Sequence, residues 1–374
     1  CICMYTHMHV HAHAHTHSAP REKHTRREGM WLLLLGVLLV LLVLWWVLRR
    51  RQMIYWAALA PRLNLEAIRH LNCDAKQLFV PGHNGCMLHV VESGPSHGQL
   101  VVLLHGFPEC WASWIRQIPA LTRCGYHVVC PDLRGYNLSD KPAGIKNYRV
   151  PFLLEDLKAL LQRFDGCAGG AKPVLVGHDF GGAISWLFGH RYPDLISKIT
   201  ILNAPHPKVL GKLLSTNAAQ RKKSRYMMFF QLPWLPELIL TRTAKALWSG
   251  ITSSLSNKFC FTKEQVDIFT ANVCMEGSIS CMIHWYRSFR RFRQDIYHLF
   301  KDPSCSAKIP VPVQVIWGCQ DHYLLPENAE LTADFCVCPP RIVRLENCSH
   351  WTNNDVPEDV TQEIIHFVDS PVPS

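Results

Sequence analysis

Six short apolar runs, each closed by turn residues, dominate the chain after residue 72 and constrain its fold class. Several are almost wholly apolar rather than alternating, as expected for strands that are buried on both faces of a sheet. Helical patterns such as 151–164 and 181–192 lie between them, and this alternation predicts a doubly wound, mostly parallel sheet. The predicted strands are 100–106, 126–132, 173–179, 198–204, 311–318 and 341–347.

The alternation stops between residues 207 and 302, where the sequence is aromatic, basic and helix-like. Active sites of open α/β sheets lie at the carboxyl ends of the strands. An insertion that leaves the sheet just after the strand 198–204 would cover that edge. We therefore predict a helical lid at 207–302, inserted in a sheet domain made of residues 73–206 and 303–370.

The segment Trp31–Leu48 contains no charged residue in eighteen positions, which is near the lower limit for a membrane-spanning helix. Two tryptophans near its end and the cluster Arg49–Arg51 after it are typical of a membrane interface. A secretory signal peptide is the alternative, but its apolar region is normally shorter and precedes a small-residue cleavage site, which is missing here. We predict a single transmembrane anchor at 31–48 and a juxtamembrane segment at 49–72.

Residues 1–30 precede the anchor, and histidine recurs at every second position from 7 to 17. A metal-binding tract is one interpretation of such a pattern. We expect instead a low-complexity, disordered tail or upstream sequence carried into a gene model, with Met30 at the edge of the anchor.

The net charge of +10 is unevenly distributed, because residues 208–301 alone hold fifteen Lys and Arg against five Asp and Glu. This concentration suits anionic lipid headgroups or acidic substrates, and no nucleic-acid-binding motif accompanies it. Sixteen cysteines lack any CxxC spacing, and the glycosylation sequons at Asn137 and Asn347 lie beside the predicted site. We predict no nucleic-acid partner and a catalytic domain in a reducing, cytosolic compartment.

The stretch Gly177-His178-Asp179-Phe180-Gly181 follows an apolar strand and precedes a helical pattern. A tight strand-to-helix turn of this kind exposes its central side chain and needs small residues two positions before and after it. Asp321 and His350 each follow a later strand, in WGCQD and CSHW. A carboxylate can fix the tautomer of an imidazole whose other nitrogen acts as base, so we predict Asp179 as nucleophile, Asp321 as acid and His350 as base.

Five motifs together resemble the α/β-hydrolase-fold epoxide hydrolases, and especially the animal members with a short membrane anchor. They are HGFPE (105–109), DLRGYNLSDKP (132–142), GHDFGG (177–182), WGCQD (317–321) and SHW (349–351). The resemblance covers about residues 75–370. It implies an α/β-hydrolase fold, activity on epoxides without metal or organic cofactor, and a single-pass protein of the endoplasmic reticulum facing the cytosol.

The resemblance also implies further site residues. In this fold the amides of Phe107 and Phe180 would form the oxyanion hole. Two lid tyrosines of the family donate hydrogen bonds to the epoxide oxygen, and the patterns YMMFFQ and HWYR put them at Tyr226 and Tyr286. Asn137 stands where the family usually has glycine, and asparagine tolerates a positive φ, so we expect the turn to persist.

A carboxylate nucleophile suits an epoxide, which has no carbonyl and must be displaced at carbon. We predict conversion of lipophilic epoxides to vicinal diols through an ester on Asp179, with epoxy fatty acids as a candidate class because the lid is basic. Water, the membrane and the epoxide are the expected partners. A haloalkane or haloacid dehalogenase is one alternative, disfavoured because related enzymes bind halide through a tryptophan N–H where Phe180 stands. A non-catalytic binding protein on the same scaffold is the other.

Overall fold

The computed structural model describes residues 21–164, 171–242, 248, 251 and 260–371, with side chains from residue 30 onward except at position 242. The histidine-rich part of the predicted tail therefore lies outside the described residues. The chain divides into two compact units, residues 1–52 and residues 53–374.

The first helix, α1, runs from Arg21 to His70 and so extends beyond the predicted anchor at both ends. By length and composition, the described residues contain one helix that could cross a membrane alone, from Met30 within α1. Two bent lid helices pass the same test only as a pair. Within the second unit, α1 continues because its last turns bury Ala60, Asn64 and Ala67 completely.

An eight-stranded sheet forms the centre of the second unit, in the order β1-β2-β4-β3-β5-β6-β7-β8. The strands after β2 pair in parallel, whereas β1 and β2 pair antiparallel to each other and β2 pairs antiparallel to β4. Bounds are Lys76–Pro81, Met87–Ser93, Leu100–Leu104, His127–Pro131, Val174–His178, Lys198–Leu202, Val313–Gly318 and Arg341–Leu345 for β1 to β8. The prediction of a mostly parallel, doubly wound sheet is confirmed.

Side chains of β3 show how the sheet is covered on both faces. Leu100, Val102 and Leu104 belong to one hydrophobic cluster, and Val101 and Leu103 belong to the other. Successive side chains of a strand point to opposite faces. This explains why the predicted strands are apolar throughout instead of alternating.

Strands β1 and β2 are the part of the sheet that the sequence analysis missed. Their sequences, KQLFVP and MLHVVES, mix polar and charged residues with apolar ones. β1 is an edge strand, and most of its residues are partly or fully exposed. An antiparallel edge with one solvated face does not produce the continuous apolar run of a buried parallel strand.

Helices surround the sheet and form the insertion. Those of the sheet domain are α2 Gln117–Arg123, α3 Val150–Arg163, α4 Phe180–Arg191, α12 Glu327–Leu331, α13 Thr352–Asp355 and α14 Pro357–Asp369. Those of the predicted lid are α5 Pro207–Thr216, α6 Ala218–Lys223, α7 Tyr226–Phe229, α8 Leu235–Arg242, α9 Lys263–Cys274, α10 Ser278–Arg291 and α11 Arg293–Lys301. The regular elements described between β6 and β7 are all helical, as expected of a helical insertion.

Asn137 joins the sheet domain to the lid. Its φ is 40°, so asparagine does take the left-handed conformation expected of it. Its backbone amide donates to Oδ1 of Asn272 on α9 at 2.6 Å, and its side chain donates to Asp132 and Asn64, both at 2.8 Å. Asn137 is completely buried, and its hydrogen bonds hold the lid against the loop after β4.

Candidate active site

Asp179 lies in a strained turn between β5 and α4, with φ 49° and ψ −114°. The turn can close because both flanking positions are glycine. A Cβ on Gly177 would lie 2.5 Å from the Gly181 carbonyl, and one on Gly181 would lie 2.3 Å from the oxygen of Leu104. A left-handed aspartate in so tight a turn is typical of a nucleophile held for reaction.

The carboxylate of Asp179 is stabilised as an anion. The amide of Phe107 donates to its Oδ1 at 2.9 Å, and His350 Nε2 lies 3.7 Å from its Oδ2. Burial alone raises the pKa of Asp179, but His350 and the Phe107 amide outweigh burial and leave that pKa below its ordinary value. Within the described residues, the second predicted amide, that of Phe180, makes no hydrogen bond to Asp179.

Asp321 orients His350. Its Oδ2 lies 2.6 Å from His350 Nδ1 and also accepts from Asn203 Nδ2 at 2.8 Å. Its Oδ1 accepts from the amides of Tyr323 and Leu324, at 2.6 and 2.9 Å. Burial raises the pKa of Asp321, but the charge and hydrogen bonds of His350 and Asn203 outweigh it and lower that pKa. Three of these hydrogen bonds fix the buried carboxylate, and the fourth contact lets it hold the imidazole of His350 in place.

His350 stands between two carboxylates. Burial alone lowers the pKa of its imidazole, but Asp321 and Asp179 outweigh burial and raise that pKa to about 10. His350 is therefore an imidazolium at neutral pH as long as Asp179 keeps its negative charge.

The two lid tyrosines meet above the nucleophile. Tyr226 on α7 and Tyr286 on α10 lie edge to face, with ring centroids 5.8 Å apart. The Tyr286 ring also contacts Phe107 and Phe180, at centroid distances of 5.2 and 4.6 Å. Burial, followed by the charge of Asp179, raises the pKa of Tyr226 well above its ordinary value. Burial also raises the pKa of Tyr286, so both phenols keep their protons at neutral pH.

Phe180 itself fills the space between the nucleophile turn and the lid. Its ring packs against Trp285 and Tyr286 on α10, with centroids 5.2 and 4.6 Å away. The apolar ring at this position therefore packs against the helix that carries the second phenol and offers no polar donor of its own.

A buried His178–Glu109 pair beside the nucleophile was not singled out from the sequence, although both residues fall within quoted motifs. His178 Nε2 lies 3.0 Å from the carbonyl oxygen of His350 and must donate to it. Its Nδ1 lies 2.9 Å from Glu109 Oε2, so one further proton is shared between those two groups. The pair ties the His350 backbone to the turn that carries Asp179.

Asn203 and Tyr323 were also missed. Asn203 follows β6 with φ 39°, and its Oδ1 accepts from the amide of Gly318 at 2.8 Å while its Nδ2 binds Asp321. The ring of Tyr323 lies 5.2 Å from His350 and 5.5 Å from Tyr226. The only available signal was position, since Asn203 directly follows a strand and Tyr323 is two residues after the acid.

This arrangement combines an anionic carboxylate, a carboxylate-held imidazole and two phenols facing them. It can attack an electrophilic carbon, protonate a departing oxygen and then activate water. Among the residues that the structure describes, no group of three or more His, Cys, Asp or Glu is arranged to hold a metal ion.

Comparison with known proteins relates the chain to a family with many members. The family described as alpha/beta hydrolase fold matches residues 99–355. AB hydrolase superfamily protein YfhM of Bacillus subtilis is 35% identical over 76% of this chain and 95% of its own length. Epoxide hydrolase 3 of Xenopus tropicalis and epoxide hydrolase 4 of Homo sapiens are each 32% identical over 76% of this chain, and over 75% and 76% of their own lengths.

Solved structures agree with the sequence matches. A point mutant of an epoxide hydrolase from Bacillus megaterium superposes with a TM-score of 0.67 and 29% identity, covering 79% of this chain and all of that one. A second mutant of an epoxide hydrolase from the same organism, solved with its diol product, gives 0.66 and 28% over 78% of this chain and all of that one.

Proposed function

Because the chain belongs to the epoxide hydrolases of the α/β-hydrolase superfamily, we propose that it converts lipophilic epoxides to vicinal diols through a covalent ester on Asp179. The observation that carries this proposal is the convergence of three kinds of group. An anionic Asp179 lies beside an Asp321-held His350, and the phenol-bearing rings of Tyr226 and Tyr286 face them from the lid.

In the first step, Asp179 attacks one ring carbon of the epoxide while the bond from that carbon to the ring oxygen breaks. A carboxylate needs no base for this attack, because it is already an anion. The departing oxygen is strongly basic and takes a proton from Tyr226 or Tyr286. The products of the step are a hydroxyalkyl ester on Asp179 and a tyrosinate, which His350 reprotonates.

Formation of the ester changes His350 into a base. The resting pKa of about 10 depends partly on the negative charge of Asp179, and the ester is neutral. Loss of that charge lowers the pKa of His350, and its proton is the one that restores the tyrosine. The neutral imidazole can then accept a proton from water, with Asp321 holding its other nitrogen.

In the second step, hydroxide from that water adds to the carbonyl carbon of the Asp179 ester. The developing oxyanion is an oxygen of Asp179 itself, and the Phe107 amide already donates to Oδ1. Losing one such donor typically costs about 10²–10³ in rate. The diol leaves with its new oxygen taken from Asp179, and the enzyme returns to a carboxylate and an imidazolium.

Isotope labelling tests the covalent route. In a single turnover in H₂¹⁸O, we expect the label in the Asp179 carboxylate, as a 2 Da gain on its proteolytic peptide, and an unlabelled diol. The Asp179→Ala variant is the control, because it should form no diol and gain no label. Label found in the diol alone, with Asp179 unlabelled, would exclude the ester.

We infer that the substrate is lipophilic because aromatic rings dominate the surroundings of Asp179. Phe107 contacts Phe230 at 5.4 Å, and Phe180 contacts Phe289 at 5.7 Å, between ring centroids. The positive charge of residues 208–301 favours epoxy fatty acids within that class.

A comparison of acids with their esters tests the carboxylate preference. If the lid cations attract the substrate, kcat/KM for an epoxy fatty acid should exceed that for its methyl ester by about tenfold at low ionic strength, and salt should reduce the difference. Equal values at both ionic strengths would contradict the preference and leave the epoxide chemistry untouched.

We also propose that residues 31–48 anchor the protein in the endoplasmic reticulum with residues 53–374 in the cytosol. Arg49–Arg51 follow the apolar segment directly, and basic clusters are retained on the cytoplasmic side. The cysteines within the described residues form no disulfide with one another, as a reducing compartment permits. Protease accessibility in sealed microsomes measures this topology, since a lumenal domain would be protected.

A further inference from the structure

We propose that one face of the lid docks on an anionic phospholipid surface. The docking face consists of the apolar side chains Met228, Leu232 and Trp234 and the cations Arg225 and Arg290. The proposal goes beyond the epoxide chemistry and does not depend on it.

Three large apolar side chains of the docking face are exposed within seven consecutive residues. The exposed fractions are 57% for Met228, 44% for Leu232 and 68% for Trp234. In the sheet domain, by contrast, exposed large apolar residues such as Phe79 and Val337 stand singly. Scattered apolar residues are ordinary on a protein surface, whereas a local group of them marks an interaction site.

The backbone under this face is strained and rigidly held. Trp234 has φ 50°, a left-handed conformation that is a genuine outlier for a bulky residue. Buried Arg287 fixes the segment, since its Nε donates to the carbonyl of Phe230 at 2.9 Å and its guanidinium also binds the carbonyl of Leu232 and the carboxylate of Glu237. The strained backbone at Trp234 does not bury the indole, so packing of the ring does not offset the strain. Strain of this kind points to a function for the exposed ring.

The charge around the exposed apolar side chains is positive. Arg225 and Arg290 are exposed, and the Arg290 guanidinium lies 2.8 Å from the sulfur of Met228. Glu237 is the one acidic residue between positions 208 and 263, and its carboxylate is paired with Arg287. Trp, Leu and Met beside arginines match the interface of a bilayer, where the apolar side chains enter the headgroup boundary and the cations meet anionic lipid.

A lipid surface is favoured over a protein partner by a second feature of the same chain. Its helix α1 contains a segment long and apolar enough to cross a membrane, so a bilayer is available as the docking surface. Docking would set α7, which carries both Met228 and Tyr226, against the phase in which lipophilic epoxides concentrate.

Site-specific photocrosslinking tests the docking face. The full chain is reconstituted in nanodiscs of phosphatidylcholine with or without phosphatidylserine, and benzoylphenylalanine replaces Trp234, Phe79 or Val337 in turn. Phe79 and Val337, exposed by 53% and 60%, are matched controls far from the lid sequence. On irradiation we expect lipid adducts at position 234 at least about fivefold above either control, and fewer adducts without phosphatidylserine or in high salt.

Two further variants keep the test decisive. Benzoylphenylalanine at Met228 should give the same lipid adducts. Arg290→Glu should reduce the adducts at position 234 while leaving turnover of an uncharged, water-soluble epoxide unchanged. Equal lipid crosslinking at positions 234, 79 and 337 would overturn the proposal. Adducts at position 234 only with a second copy of the chain or another protein would also overturn it. Neither outcome depends on whether Asp179 forms an ester.

Discussion

A His350→Gln variant should take up one equivalent of epoxide and then stop, with steady-state diol formation reduced by about 10⁴-fold or more. Glutamine cannot accept a proton from water, so the Asp179 ester has no base for its hydrolysis. Attack on the epoxide continues, because Asp179 is an anion without help from a base and keeps the hydrogen bond from Phe107. The attack should be slower than in the wild type, because the His350 cation that lowers the pKa of Asp179 and keeps it ionised is lost.

Intact-protein mass spectrometry measures this result directly. The variant should gain the mass of one epoxide, and the Asp179→Ala control should gain nothing. In the wild-type enzyme, hydrolysis should speed up as pH rises through the His350 pKa of the ester form. That pKa lies below the resting value of about 10, because the ester has removed one of the two carboxylates that raise it. Continued diol release by His350→Gln, with no accumulated adduct, would show that His350 is not the base for hydrolysis.

The three residues that carry out the two steps could be predicted from the sequence. Asp179, Asp321 and His350 are far apart in the chain, but each follows a strand of a parallel sheet. The carboxyl ends of such strands share one edge, so the three side chains were expected to meet there. The structure brings them together, with His350 2.6 Å from Asp321 and 3.7 Å from Asp179.

Sequence patterns could not reveal the supporting residues that reach the catalytic groups only through tertiary packing. Asn203 supports Asp321 only because the ends of β6 and β7 are adjacent, and an asparagine after a strand is otherwise an ordinary turn residue. The His178–Glu109 contact depends on how two loops approach in space. The edge strand β1 was missed because its exposed positions break the apolar pattern, and β2 because buried polar residues such as His89 and Glu92 interrupt it. The continuation of α1 to His70 depends on the burial of its last turns within the second unit.

The remaining large effect is expected from the lid phenols. A Tyr226→Phe, Tyr286→Phe double variant should slow formation of the Asp179 ester by about 10³–10⁴-fold, within the range of general acid catalysis. Each single variant should cost about 10–10²-fold, because the two rings lie together and either phenol can serve the same oxygen. Phenylalanine keeps the ring contacts with Phe107 and Phe180 and removes only the proton donor.

The double variant should differ from His350→Gln in which step it slows. Rapid-quench mass spectrometry should find no accumulated ester, because hydrolysis stays faster than the impaired attack. Tyr297→Phe is the matched lid control, since Tyr297 is 59% exposed on α11 and should be replaced without effect. A double variant that forms the ester at more than about a tenth of the wild-type rate would remove the phenols from the mechanism. The alkoxide would then need another acid, and the imidazolium of His350, with its raised pKa and its Nε2 3.7 Å from Asp179, would be the first candidate.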